Sequence, residues 1–149
     1  MGVMRSQGRA DAQDIQTRSP DMDGTALYAE EQKIPDFQAA KAKANMSTRK
    51  AGEKDGFVCR SSSGRVVRLI QTYDSDTYPA EPEELPAQWR FVWSKNPVDA
   101  LPFVELATST YAIGDCCLNN AGEPRRSTID NNTWSPDTNP EYWEDALTG

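Results

Sequence analysis

The side chains best suited to chemistry fall into three groups. The first is a run of carboxylates, Asp74, Asp76, Glu81, Glu83 and Glu84. A glycosidase-like pair needs two carboxyls about 5–9.5 Å apart across a cleft, one of them with a pKa raised by burial. These five stand in a stretch punctuated by Pro79, Pro82 and Pro86, which reads as a solvated loop rather than an acid–base pair. Asp74-Ser75-Asp76 also has a spacing with which two carboxylates share a hard cation. The chain continues Thr77-Tyr78-Pro79, without the ligand pattern of a calcium loop, and reads as a turn. The second group is the thiols Cys59, Cys116 and Cys117. Neighbouring residues on a strand face opposite ways, so Cys116 and Cys117 do not serve one metal without distortion. Reduced thiols acting as small apolar residues are expected, with a strained vicinal disulfide as the alternative. The third group is aromatic: Trp134, set between Asn132-Thr133 and Ser135-Pro136, then Tyr142 and Trp143. A planar ring held by a rigid polar turn is what stacking on the C–H face of a pyranose requires. Burial of both indoles in a core is the competing reading.

What is missing narrows the chemistry further. The 149 residues include no histidine, which removes Ser-His-Asp and Cys-His nucleophiles and the common His-containing zinc sites. Gly114 has no second or third glycine with which to cradle a phosphate. A non-enzymatic protein without a cofactor or bound metal is therefore expected. The net charge of -7 and pI near 4.6 oppose a sequence-independent grip on nucleic acid and repel an anionic membrane surface. Apolar runs are short against the roughly 20 residues of a spanning helix, and Met1-Gly2-Val3-Met4-Arg5-Ser6 has no hydrophobic core. Neither membrane insertion nor a secretory signal is expected.

Positioning the aromatic group falls to a few short elements. Residues 1–21 are polar and lack aromatics, and read as a flexible polar arm that buries too little to offset its ordering entropy. Residues 22–55 read as an extended connecting segment with a short exposed helix after Pro35-Asp36, in the Ala/Lys run 38–44. From residue 56 the pattern turns to β. Gly56–Arg60 and Arg65–Ile70 flank Ser61-Ser62-Ser63-Gly64 as a hairpin. Tyr111–Leu118 and Glu123–Ile129 flank Asn119–Gly122 as a second, whose returning arm begins at Pro124 because proline donates nothing to a ladder. Trp89, Phe91 and Trp93 alternate onto one face and are expected in the core. The fold class expected is mainly β, with a β-rich body over 56–104, a second small β domain over 105–149, and an extended, partly helical N-terminal region.

The string Tyr111-x-x-Gly114-Asp115, a hairpin turn at Gly122, then Trp134-Ser135-Pro136 and Pro140-x-x-Trp143 resembles the small chitin- and cellulose-binding modules of carbohydrate-binding module families five and twelve. The likeness covers about residues 105–146. Upstream, Gly56-Phe57-Val58-Cys59, Leu85-Pro86-Ala87-Gln88-Trp89 and Ala100-Leu101-Pro102-Phe103-Val104 look like tail-region proteins of bacteriophages and prophages that carry such a module at their end, and Met22-Asp23-Gly24-Thr25 looks like their usual start. The resemblance implies a virion protein of the tail, made in the host cytoplasm. It implies Trp134 as glycan platform, with Tyr142 and Asn132 beside it, and Tyr111, Gly114, Asp115, Pro136 and Trp143 as the structural core of the module. The partners implied are other tail proteins, further copies of the chain, and host cell-wall polysaccharide. Where the modules carry an aromatic on the second hairpin arm, this chain has Arg125 and Arg126. The alternative is an assembly protein whose aromatic segment packs at subunit interfaces without sugar.

Overall fold

The computed structural model describes residues 13–146 and divides into two compact units, Met1–Val92 and Trp93–Gly149. Each contains one three-stranded antiparallel sheet.

In the first unit, β1 (Val58–Arg60), β2 (Val66–Leu69) and β3 (Trp89–Phe91) pair in that order. The register sets Cys59, Val67 and Phe91 side by side, with Leu69 opposite Trp89 on the same face. That face is apolar and lies fully inside, and all four residues of the central strand are buried. The β1–β2 turn closes at Gly64 with φ of 88°, a conformation that glycine adopts without the Cβ penalty. Gly56 enters β1 with no room for a side chain, since a Cβ there would lie 1.9 Å from the Leu69 carbonyl oxygen.

Three short helices complete this unit: α1, described over 13–18, α2 (Gly24–Ala29) and α3 (Phe37–Lys43). Asp23 and Asp36 cap α2 and α3 by accepting from the Ala26 and Ala39 amides, so each satisfies a free donor of the first turn. Leu27, Tyr28, Ile34 and Phe37 are all buried. The Phe37 ring meets Trp89 edge-on at 5.7 Å, and the Tyr28 hydroxyl donates to the Val92 carbonyl while accepting from the Val66 amide. Residues 22–55 are thus part of the core, not a connector. Helices and helical turns outweigh the strands, so the protein is a small mixed α/β structure rather than mainly β.

The polar arm expected over 1–21 is overturned for residues 13–21; residues 1–12 lie outside the described residues. Ile15 is fully buried. The Gln16 amide donates to the Val58 carbonyl at 2.7 Å and accepts from the Val58 N–H at 2.9 Å, which satisfies a strand edge with a side chain. Arg68, buried on β2, donates to the Ser19 carbonyl at 2.9 Å and to the carbonyls of Gly56 and Lys54. The segment is held by polar groups that fit backbone, so few apolar residues suffice.

The acidic loop is also not simply solvated. Glu81 accepts from the Ser62 amide and hydroxyl, while Glu83 accepts from Ser61, Ser63 and Arg65. Two carboxylates therefore grip the β1–β2 turn.

In the second unit, β4 (Cys116–Leu118), β5 (Pro124–Ser127) and β6 (Trp143–Asp145) pair in that order. The returning arm begins at Pro124, opposite Leu118. Residues 93–104, read from sequence as part of the upstream body, belong here. The Ser94 and Leu101 carbonyls accept from the Cys116 and Leu118 amides, and the Phe103 amide donates back to Leu118. The boundary consequently falls at 92/93, not 104/105. All three cysteines are free and buried, and burial pushes the Cys117 thiol up to about 12.

Candidate functional site

Four rings form the base of the second unit. Trp93 stacks on Tyr111 at 4.3 Å and 13° between planes, and Phe103 lies over Tyr111 at 5.4 Å. Trp143 meets Tyr111 edge-on at 5.4 Å and Phe103 at 6.0 Å. Tyr111 and Trp143 are buried, and aromatic packing of this kind adds attraction beyond the area buried. Trp93 and Phe103 come from the stretch that sequence reading assigned upstream, so the ring cluster is larger than the motif suggests.

Above this base sits Trp134, 47% exposed. Its main chain is fixed at both ends. The Trp134 amide donates to Asn132 Oδ1 at 3.0 Å, and its carbonyl accepts from the indole N–H of buried Trp143 at 2.8 Å. Tyr142 lies beside it, half-buried, with ring centroids 5.8 Å apart and planes tilted by 33°. Pro136 is buried behind the turn. The two rings make a bent apolar surface whose shape does not depend on the side chains of a mobile loop.

Asn132 does not join that surface. It is fully buried, and its amide donates to the Ser127 hydroxyl at 2.9 Å and to the Tyr142 carbonyl at 3.2 Å. With Oδ1 accepting from Trp134, one side chain ties together the two residues that carry the platform rings. Its own backbone pairs in both directions with Tyr111. Asn132 is a positioning residue, corrected from a glycan contact. The resemblance implies a glycan contact there; an Asn two residues before the ring it orients is the pattern of an Asx turn, which is the signal the sequence offers. Ser127, which donates onward to the Ile129 carbonyl at 2.7 Å, carried no signal.

Gly114 and Asp115 shape the entry to β4. Gly114 has φ of +94°, and Asp115 Oδ2 accepts from the Ala112 amide at 2.8 Å. Lys95 lies 3.3 Å from the other carboxyl oxygen. Burial dominates and pushes the Asp115 pKa up, against the Ala112 hydrogen bond and the Lys95 charge. Arg125 and Arg126 pair in register with Asp145 and Glu144, and Arg125 lies 3.7 Å from the Asp145 carboxylate. No aromatic strip extends along β5.

Two of the carboxylates singled out in the sequence, Asp74 and Glu83, are stationed differently from a general acid. Hydrogen bonds from Asn45 first, then Thr77 and the Asp76 amide, hold Asp74 down at about 2. Burial acts to raise Glu83, but donors from Ser63, Ser61 and Arg65 outweigh it and leave the group below its ordinary value.

No family model, curated protein or solved structure matches the chain.

Proposed function

We propose that the protein is a non-enzymatic, tail-associated virion protein that contributes to attachment by binding host cell-surface glycan on the Trp134–Tyr142 platform, in a C-terminal unit folded like a carbohydrate-binding module. The observation that carries the glycan reading is the exposed indole whose amide and carbonyl are both held from beneath. A ring ordered before binding loses little freedom on contact, so more of its stacking energy appears as affinity. One indole face of about 100 Å² at about 25 cal/mol per Å² contributes about 2.5 kcal/mol. With a few hydrogen bonds this reaches the millimolar range, about -4 kcal/mol. Weak single sites suit a particle that displays several copies, where each later contact gains from effective concentration. The virion setting rests on the residue patterns at 56–59, 85–89 and 100–104, and the homo-oligomer on the same likeness.

Titrating the full chain with chito-oligosaccharides while following tryptophan emission and acrylamide quenching tests the reading. Saturable protection of one exposed indole at millimolar sugar is expected. Unchanged quenching up to the solubility limit, with isolated host cell wall also failing to protect, defeats it.

A further inference from the structure

A broad hollow lies in the first unit. It is a groove of about 990 Å³ between the end of α1, residues 32–36 and α3, floored by Ile34, Pro35, Ala40 and Phe57. A second hollow of about 410 Å³ shares Gln16, Thr17, Arg49 and Phe57 with it, so the two run together past the Arg49 side chain.

Charge distinguishes this groove from the rest of an acidic chain. Lys33 is neutralised by Glu30 at 3.2 Å and Lys50 by Asp55 at 2.9 Å, while the Asp36 carboxylate, which caps α3, stays an anion at the groove. Two cations remain uncommitted. Arg49 lies 4.4 Å over the Phe57 ring, gives one N–H to the Ala40 carbonyl at 2.9 Å, and pairs with no carboxylate among the described residues. Lys43 is exposed at the other rim with no partner among the described residues. Set against Asp36, Lys43 and Arg49 leave a small excess of positive charge at the groove within a chain of net charge -7.

The opposite flank of α3 shows what such a surface accepts. There Gln38 donates to the Glu81 carboxylate and Lys41 to the Pro79 carbonyl at 2.9 Å, so an acidic, proline-rich stretch of the same chain already lies against the helix. On the groove flank Asp36, Ala39 and Lys43 are exposed among the described residues. We propose that this groove docks an extended acidic peptide segment of a partner chain, its apolar side chains on Phe57 and Ala39 and its carboxylates at Arg49 and Lys43. The proposal is independent of the glycan reading.

The test uses the full chain and a fluorescein-labelled nine-residue peptide with the sequence of residues 78–86 as probe, followed by anisotropy. Binding is expected to weaken about fivefold or more between about 50 and 200 mM salt, and similarly in a Glu→Gln analogue of the peptide. Lys43→Glu, at an exposed side chain without partners, is expected to weaken it about tenfold with the unfolding midpoint unchanged. Ala39→Phe, which fills the groove from an exposed position, is expected to do the same. Equal binding by the Gln analogue, wild-type binding by both variants, or no binding up to about 1 mM peptide overturns the proposal. So does salt-sensitive self-association abolished by Lys43→Glu, which assigns the groove to a second copy.

Discussion

Replacing Asn132 by Ala tests the proposition that one buried amide sets the platform. The side chain makes three hydrogen bonds, to Trp134, Ser127 and Tyr142, and is fully buried. At about 1 kcal/mol net for each bond, the loss is about 3 kcal/mol, and more if the stranded Tyr142 carbonyl stays dry. For a unit of this size that lowers the unfolding midpoint by roughly 12–24 °C. Thermal melts followed by near-ultraviolet dichroism, to which the stacked rings of this unit contribute, read the shift directly. Asn132→Asp sharpens the test, because it keeps the acceptor for the Trp134 amide but sets an anion against the Tyr142 carbonyl. Its folded pKa is raised, so its stability is expected to fall as pH rises through the carboxylate range and to recover in acid. A shift below about 4 °C for Asn132→Ala, or an Asp variant indifferent to pH, refutes the assignment.

Four further outcomes concern two carboxylates, two glycines and the thiols. Hydrogen bonds from Arg18 and then Lys33 hold Glu30 down at about 2, and Asp74 is held at about 2 by Asn45 and its neighbours. Both are depressed, so their stabilisation is complete above about pH 4.5 and lost as pH falls toward 2; in urea titrations against pH, the double variant Glu30→Gln/Asp74→Asn is expected to flatten that window. Gly56→Ala forces a Cβ onto the Leu69 carbonyl at 1.9 Å and is expected to destabilise by several kcal/mol. Gly122→Ala, at φ of +79° in open space, is expected to cost only about 1 kcal/mol in chemical denaturation. Burial raises the thiols of Cys59, Cys116 and Cys117, so a disulfide-exchange reagent at pH 8 is expected to label none of them in the native protein and all three after denaturation.

The two hairpins were legible because their signals are local: a Ser/Gly or Asn/Gly turn between β-prone runs, and a proline that must begin an arm. The helix after Pro35-Asp36 was legible too, but the docking of residues 13–21 was not, because Gln16 and Arg68 bind backbone groups distant in sequence, and hydrophobic periodicity registers no such bond. The domain boundary was missed through Trp93. It continues the alternation of Trp89 and Phe91 in sequence, yet its ring stacks on Tyr111 rather than extending β3. At the platform, Trp134 stands exposed and Tyr111 and Trp143 buried, as their settings in turn and motif suggested. Asn132 was misplaced because an amide in a polar turn looks solvated until the groups that consume its hydrogen bonds are known.

The central claim is that Trp134 binds and does not support the fold. Isothermal titration of chito-oligosaccharide and solubilised host cell wall into the full chain and its Trp134→Ala variant tests it most directly, with thermal melts alongside. The backbone bonds at residue 134 survive the change, so the melting temperature is expected to hold within a few degrees while binding falls at least tenfold. Undiminished binding by a folded Trp134→Ala protein contradicts the account.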